Sequence, residues 1–244
     1  MSTQAIRLKV TTLSNLFIGG PPTTFEIGGV DMYTVTDFEG KPYIPGSSLK
    51  GSLRNIVRDL VRHHKDGQVL KIGQAYREYL DAQLQEHMKR IEQLNGDTEK
   101  VSRMVERYNN QMEHATAECL FGMEGFNHTP KLIFNDLKVI ATDVQRDSWE
   151  HLFSIDAKNK IHPDPQGPMA NPRFYKTVRP GVAFTGEILL HRMELLPVGT
   201  DVIRSFIESA LQQFNEGIYR LGNSGSRGYG RVEVAVIQEE SDPN

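Results

Sequence analysis

The chain opens with a regular alternation of apolar and polar residues. Over residues 5–18, Ile6, Leu8 and Val10 alternate with polar side chains. A period of two indicates a half-buried strand, because successive strand side chains point to opposite faces of a sheet. Residues 19–46 are rich in Gly, Pro and Thr, which predicts a long loop with short strands, and such loops often carry function.

The spacing changes to that of a helix after Pro45-Gly46. Ser47 or Ser48 is the predicted N-cap, since serine oxygens accept hydrogen bonds from free amides of a first turn. One face is apolar: Leu49, Leu53, Ile56, Val57, Leu60 and Val61. Another face carries a cation every four residues: Lys50, Arg54, Arg58 and Arg62.

Residues 67–117 form the clearest insertion. Two apolar stripes with helical spacing are separated at Asn95-Gly96-Asp97, and Thr98 can cap the second helix. A helical hairpin is therefore predicted. Its role is open between a structural appendage and a lid or arm that contacts a neighbour.

The second half of the chain predicts strands and one more helix. Residues 131–144 are a strand with a possible bulge at Asn135-Asp136, and 157–172 are polar, proline-rich and irregular. Strands follow at 173–179 and 182–195. A helix capped by Thr200 or Asp201 runs to about Gly217, and a strand covers 231–237. This order predicts an α+β fold of the ferredoxin-like type.

Composition excludes several classes of protein. The 244 residues contain one cysteine, Cys119, so an internal disulfide and a multi-cysteine zinc site are excluded. No run of about 18 apolar residues is present, and the first ten residues lack a signal-peptide core, so a cytoplasmic protein with no membrane partner is expected. The net charge is −3, yet residues 46–65 are locally basic, as a nucleic-acid binder requires.

Two segments carry candidate binding chemistry. Residues 221–230 contain four glycines, whose exposed amides can hold a phosphate, with Ser224, Ser226 and Arg227 as further donors and Tyr229 as a base-stacking ring. The helix start supplies free amides and a positive dipole end beside Ser47, Ser48 and Lys50, and the basic face continues through Arg54 and Arg58. Taken singly, each segment is equally compatible with a plain loop or an ordinary capped helix.

Together, the two segments resemble a known family. Pro-Tyr-Ile-Pro-Gly-Ser-Ser-Leu-Lys-Gly-x-Leu-Arg at 42–54 and Gly-Ser-Arg-Gly-Tyr-Gly-Arg-Val at 225–232 are similar to the RAMP superfamily of CRISPR proteins. The likeness is greatest to the repeated backbone subunit of type III effector complexes, the Csm/Cmr-type Cas-seven group. Residues 18–31, 134–137 and 170–181 agree with it, so the resemblance runs from about 6 to 237.

The resemblance implies a fold and a set of partners. An RRM-like palm (1–66 and 118–244) carries a thumb hairpin at about 150–179, and 67–117 is the helical insertion. Such subunits stack with copies of themselves and other type III subunits along guide RNA and cut target RNA at regular intervals. Ser47, Ser48, Lys50, Arg54, Arg58, Arg173, Ser226 and Arg227 are the expected RNA-binding residues; Lys158, Lys160 and Lys176 are further phosphate contacts, and Phe174 and Tyr175 candidate wedges.

The resemblance also implies a catalytic residue, Asp31, and metal-dependent cleavage that leaves a 2′,3′-cyclic phosphate. A carboxylate in a glycine-rich loop can take a proton from a ribose 2′-OH or hold a transient divalent ion, expected to be Mg²⁺. Glu26 and Asp37 rank below Asp31. Relatives often carry a zinc cluster where this chain has its helices; with Cys119 alone, structural zinc is not expected.

Two alternatives stay open at this stage. Asp31 could be a plain turn aspartate after Gly28-Gly29, and the chain a non-catalytic, structural guide-RNA-binding subunit of the same complex. A stand-alone guide-processing ribonuclease is a weaker alternative, because that role usually relies on a histidine near the start of the chain, whereas the first histidine here is His63.

Overall fold

The structure, a computed structural model, describes six stretches of the chain. They are residues 4–20, 30–63, 67–94, 98–140, 149–162 and 169–237. Their strands are β1 (Ala5–Thr12), β2 (Met32–Tyr33), β3 (Tyr43–Ile44), β4 (Lys131–Phe134), β5 (Leu137–Val139), β6 (Phe153–His162), β7 (Met169–Val178), β8 (Ala183–His191) and β9 (Val232–Ile237). Their α-helices are α1 (Gly46–His63), α2 (Gly67–Leu94), α3 (Thr98–Glu113) and α4 (Thr200–Gln212).

The larger sheet has the ferredoxin-like order. Its strands run β3-β5-β8-β1-β9, and β4 also pairs with β8. The chain reaches β5 from β1 by way of α1, and β9 from β8 by way of α4. This is a βαββαβ unit with extra elements, so the predicted α+β, ferredoxin-like class is confirmed.

The alternating apolar and polar residues at the start of the chain form the predicted strand. Ile6, Leu8 and Val10 are fully buried in β1, and Leu8 and Val10 lie opposite Val236 and Val234 of β9. The strand is shorter than the pattern, however. It ends at Thr12, because the next two amides, of Leu13 and Ser14, both turn to the carbonyl of Arg231.

The β6–β7 hairpin, at the position of the predicted thumb, is more regular than the sequence indicated. β6 and β7 pair antiparallel from Phe153 opposite Val178 to His162 opposite Met169, and β2 adds in parallel beside β7. The prediction that 157–172 is irregular is therefore wrong at both of its ends. Backbone ladder bonds do not depend on apolar side chains, so a polar strand pair shows no hydrophobic period.

The helices of 67–117 form as predicted. Ile72, Tyr76 and Leu80 of α2 and Tyr108 of α3 are buried, and the Tyr76 hydroxyl donates to the carbonyl of Pro130 at 2.8 Å. That these helices form an insertion distinct from the palm stays a prediction. None of the helices in the described stretches is long and apolar enough to cross a membrane.

The chain divides into two compact units. One contains the described residues of 1–6, 53–133 and 188–210 and is mainly helical. The other contains those of 7–52, 134–187 and 211–237 and holds the thumb hairpin, β2, β9 and the glycine-rich segment 221–230.

Two predicted helix boundaries are wrong. α1 begins at Gly46, before either serine, because the Asp136 carboxylate accepts the Gly46 amide at 2.7 Å and replaces a serine cap. α4 ends at Gln212. The side chain of Asn215 then exchanges two hydrogen bonds with the backbone of Val234 in β9, of 2.7 and 3.0 Å, which stops the helix short of Gly217.

Glycines 228 and 230 give a matched test of the loop that precedes β9. Both have positive φ (89° and 72°), but a Cβ on Gly230 would lie 2.0 Å from the Leu221 carbonyl oxygen, whereas one on Gly228 would meet nothing within 4 Å. We expect Gly230→Ala to lower the free energy of unfolding by about 3 kcal/mol, from backbone strain and overpacking together. Gly228→Ala should cost about 1 kcal/mol. Urea unfolding measures both; equal costs would contradict the close approach.

Candidate functional site

The glycine-rich segment 221–230 is a closed loop fixed to the residues that follow β1. Its ends meet where the Leu221 amide donates to the Gly230 carbonyl at 2.9 Å. The Gly230 amide donates to the Asn15 carbonyl at 2.9 Å, and that of Asn223 to the Phe17 carbonyl at 2.7 Å. The loop is thus held in one conformation before any ligand arrives.

The glycines of this loop divide into two kinds. Gly222 and Gly230 let the loop approach its own chain, since a Cβ at either would collide with a backbone oxygen. Gly228, with φ 89°, faces open space and follows a short 3-10 helix, Gly225–Arg227. Ser226 and Arg227 are exposed there. The side of the loop open to a phosphate is therefore the one formed by Ser226, Arg227 and Gly228.

The carboxylate of Asp156 in β6 joins three segments. Its Oδ2 accepts hydrogen bonds from the Asn15 amide nitrogen and the Tyr229 hydroxyl, both at 2.7 Å, and from the Thr177 hydroxyl at 3.2 Å. The donors come from the segment after β1, from the glycine-rich loop and from β7. One charged acceptor therefore ties the base of the thumb hairpin to the loop, and bonds to a charged group are stronger than neutral ones.

Lys158 lies two residues along β6 and faces aromatic rings. Its Nζ is 3.5 Å from the centre of the Tyr229 ring and 4.5 Å from that of Tyr175. Burial, with Arg227 as a second cause, lowers the pKa of Lys158, while Asp156 acts in the opposite direction. The Nζ is buried and has no hydrogen-bond partner among the described residues, so the predicted phosphate contact of Lys158 does not fit this geometry.

Tyr229 is likewise occupied within the protein. Its hydroxyl donates to Asp156 and its ring covers Lys158, so the predicted stacking on a base does not fit its position. Burial, followed by the contact with Asp156, raises the pKa of Tyr229. Tyr175 lies on the other side of Lys158 and packs edge-on against Phe17, with ring centres 5.3 Å apart.

Asp31 is exposed at the start of β2 and is held against β7. Its amide donates to the Phe174 carbonyl at 2.9 Å, and its Oδ2 accepts from the Phe174 amide at 2.6 Å. Within the described residues its Oδ1 accepts no hydrogen bond. The carboxylate is thus oriented by the thumb strand, with one oxygen left for chemistry.

The candidates on α1 differ in what they contact. Ser47 is exposed, and Ser48 and Lys50 are half-buried in the first turn. Arg54 and Arg58 both contact Glu118, with Nε to Oε2 distances of 3.5 and 3.1 Å. These two guanidinium groups would have to share or leave Glu118 to bind a phosphate.

The other predicted residues lie mostly along the thumb. Arg173 is half-exposed and pairs with Lys158 across the hairpin, and Phe174 is exposed. Lys176 is paired with Glu150, its Nζ 2.8 Å from Oε1. Asp37 accepts the amides of Glu39 and Lys41 at 2.9 Å each, which marks it as a turn residue. Glu26 and the side chain of Lys160 lie outside the described residues.

The hydrogen-bond partners around Asp156 were not foreseen from the sequence. Three polar residues stand at alternate positions of β6 and therefore share one face of the strand: Ser154, Asp156 and Lys158. This spacing is the one feature of the local sequence that indicates a polar cluster. Asn15, Thr177 and Phe17 carry no such sign. Where the chain is described, no three His, Cys, Asp or Glu side chains come together as a metal site would need.

The fold and the motifs agree with a comparison to protein families. A family model matches residues 9–233, and the chain belongs to the RAMP superfamily. Two relatives are named CRISPR system Cms endoribonuclease Csm3. The one from Methanocaldococcus jannaschii is 26% identical over 92% of this chain and 75% of its own length. The one from Mycobacterium tuberculosis is 25% identical over 94% of this chain and 85% of its own length.

A similar solved structure is a chain of a type III-B Cmr-β complex bound to cognate target RNA, determined by cryo-electron microscopy. It has a TM-score of 0.49 and 16% identity to this chain. The match covers 96% of this chain, which spans 60% of the length of that one.

Tyr229→Phe tests the Asp156 cluster, because it removes one hydroxyl and keeps the ring over Lys158. We expect the free energy of unfolding to fall by about 1.5 kcal/mol at neutral pH, since the bond is to a charged acceptor. The raised pKa of Tyr229 means that this contribution is complete below the ordinary tyrosine pKa of about 10 and shrinks above it. Urea unfolding across pH measures both, with Tyr43→Phe as the control; a pH-independent difference would contradict the assignment.

Proposed function

We propose that this chain is a backbone subunit of a type III CRISPR effector complex that binds guide RNA and cleaves complementary target RNA at regular intervals. Membership of the RAMP superfamily over residues 9–233 supports the class, and the name of the two relatives supports RNA cleavage. The observation that carries the catalytic part is the position of Asp31, held by backbone and carboxylate to Phe174 of the thumb strand β7.

The position of Asp31 beside β7 suits cleavage of a target nucleotide that the hairpin displaces. A hairpin inserted into a guide–target duplex displaces a nucleotide next to its own strands, and Phe174 is exposed and two-fifths accessible on the strand that holds Asp31. The distance from the hairpin to the carboxylate is fixed by two hydrogen bonds, so each subunit would cut at the same offset from its thumb. Regular spacing of subunits then gives regular spacing of cuts.

The proposed reaction is a transesterification within the target strand. The ribose 2′-oxygen attacks the neighbouring phosphorus, the bond from phosphorus to the 5′-oxygen breaks, and a 2′,3′-cyclic phosphate remains. Asp31 Oδ1 accepts the 2′-hydroxyl proton, and the departing 5′-oxygen takes a proton from water. The Phe174 amide keeps Oδ2 occupied, which orients Oδ1 for this task.

The guide RNA is proposed to contact three groups of cations and polar groups on the chain. Ser226, Arg227 and the open side of Gly228 form one contact, and Arg227 is the exposed neighbour of the buried Lys158. Ser47, Ser48 and Lys50 form a second at the start of α1, continued by Arg54 and Arg58, and Arg173 a third on the thumb. Further copies of the chain and other type III subunits would complete the assembly along the RNA.

A divalent ion, expected to be Mg²⁺, fits a site with one carboxylate. Mg²⁺ keeps several waters and is commonly held by one or two carboxylates plus phosphate oxygens, so Asp31 could hold the ion in place of accepting the 2′-hydroxyl proton. When bound, the ion would offset negative charge on the scissile phosphate.

A second candidate function is the same subunit without nuclease activity. The observation that favours it is the exchange of two hydrogen bonds between Asp31 and Phe174, because a purely structural aspartate could make the same contacts. The two functions predict different rates of target cleavage for a variant in which residue 31 keeps its shape and loses its charge.

Asp31→Asn makes that distinction. Asparagine retains an oxygen for the Phe174 amide and cannot take a proton from the ribose. We expect target cleavage by the assembled complex to fall about 100-fold or more, while guide and target binding stay within about twofold. Gel analysis of labelled target and binding isotherms measure the two properties.

Asp37→Asn is the matched control, an exposed loop aspartate changed in the same way, and it should cut normally. Cleavage at the wild-type rate by Asp31→Asn would show that Asp31 is not the catalytic residue. Loss of guide binding together with cleavage would show that Asp31 acts through the fold.

Metal removal tests the expected ion separately. We expect excess EDTA to abolish target cleavage by the wild-type complex and added Mg²⁺ to restore it, because the proposed site holds the ion through a single protein carboxylate. Asp31→Asn should not recover with Mg²⁺. Undiminished cleavage in EDTA would contradict the metal requirement and leave the role of Asp31 as proton acceptor intact.

A further inference from the structure

The mainly helical unit holds a pair of cations without a carboxylate partner among the described residues, and neither belongs to the residues assigned above. The pair lines a cavity of about 400 Å³, within the range of small-ligand sites. One face of α2, the middle of α3, the loop 125–129 and the turn after β8 form its walls. All of its lining residues belong to this one unit and to the described stretches.

The cavity carries positive charge without compensation. Arg107 and Arg192 line it, and its lining includes no Asp or Glu. Among the described residues neither guanidinium is paired with a carboxylate; Arg192 donates to the His128 carbonyl at 3.1 Å, and Arg107 lies over the Phe126 ring, 5.0 Å from its centre. In a chain with a net charge of −3, two such arginines at one cavity indicate an anionic ligand.

The backbone at the cavity is arranged to place these arginines. Arg192 has φ 58° and ψ 25°, a left-handed conformation that is strained for a residue with a side chain. Gly125, with φ 77°, takes the left-handed conformation that favours glycine and lies beside the Arg107 side chain. The loop is anchored at its end, where the Thr129 hydroxyl donates to the Phe126 carbonyl at 3.2 Å.

Tyrosine hydroxyls complete the polar part of the cavity. Tyr79 is nine-tenths buried, and its hydroxyl makes no hydrogen bond to another described residue. Burial raises the pKa of Tyr79, as does the nearby Tyr108, whereas Arg192 acts in the opposite direction, so these groups lie close together. The Tyr108 hydroxyl lies 3.1 Å from Nδ1 of His87.

The flat groups at the cavity favour an aromatic ligand over a simple ion. Tyr108 packs edge-on against Phe126 with ring centres 4.9 Å apart, and the Arg107 guanidinium covers Phe126. Guanidinium planes and aromatic rings are the surfaces on which nucleobases stack. Gln83 and Asn127 add amide groups that can pair with a base edge.

We propose that this cavity binds a nucleotide, with the phosphate between Arg107 and Arg192 and the base stacked on the outer face of the Arg107 guanidinium, whose inner face lies on the buried Phe126 ring. The nucleotide is either free or one unit of a single-stranded RNA. The cavity shares no lining residue with the proposed guide surface or with the proposed cleavage site, and it does not depend on cleavage. It gives the helices of 67–117 a binding role in place of a purely structural one.

Calorimetric titration of the full chain with AMP, UMP and inorganic phosphate tests the proposal. We expect saturable binding of at least one mononucleotide, tighter than that of phosphate. Arg107→Gln and Arg192→Gly should each weaken it about tenfold or more, because each removes a charged donor. Glycine suits the left-handed conformation at 192, so Arg192→Gly should remain folded, which its thermal midpoint will check.

Two controls localise the binding. Arg103→Gln removes an exposed charge one turn earlier on α3 and should leave the affinity within about twofold. Arg227→Gln should weaken guide RNA binding and leave mononucleotide binding unchanged, which separates a failure of this site from a failure of the proposed function. A short oligoribonucleotide that competes with the mononucleotide identifies RNA as the source; one that does not compete identifies a free nucleotide.

Three results would overturn the proposal. They are the absence of saturable mononucleotide binding to the wild-type chain, binding of inorganic phosphate as tight as that of AMP and UMP, and an equal loss of affinity in Arg103→Gln.

Discussion

The hydrogen bonds accepted by Asp156 are the constraint on which the thumb and the glycine-rich loop depend. Asn15, Thr177 and Tyr229 come from three distant parts of the chain and meet at one carboxylate oxygen. Lys158 balances this charge from beneath two tyrosine rings. Because hydrogen bonds to a charged acceptor are stronger than neutral ones, the cluster holds the loop and the base of the hairpin in a single arrangement.

This arrangement separates residues that build the site from residues that can bind. Lys158 and Tyr229 are residue types that often contact RNA. In this structure the Lys158 ammonium faces the Tyr229 ring, and the Tyr229 hydroxyl donates to Asp156. Arg227 is left exposed beside them, and Gly228 is the glycine of the loop with open space before it. The same division holds at β7, where Tyr175 packs against Phe17 and its neighbour Phe174 holds Asp31.

Two places in the described residues show how cations of an acidic chain can differ in their partners. Lys158 is stabilised by Asp156 and by ring faces, so its charge serves the fold. Arg107 and Arg192 have a ring face and a carbonyl but no carboxylate among the described residues, so their charge is left for a ligand. Net charge describes the whole surface, whereas recognition depends on which cations lack an internal partner.

The sequence alone determined the fold class, the helices, and the motifs that place the chain in its family. It could do so because helical and strand periods are local, and because Gly46, Gly222 and Gly230 sit where a Cβ would collide with a backbone oxygen. It did not reveal the regular pairing of β6 with β7, the cap of α1, or the contacts that Lys158 and Tyr229 make within the protein. Asp136 reaches Gly46 and Asp156 reaches Tyr229 across 90 and 73 positions. Such pairs leave no period in the sequence, so only the tertiary structure decided which polar residues support the fold and which remain free to act.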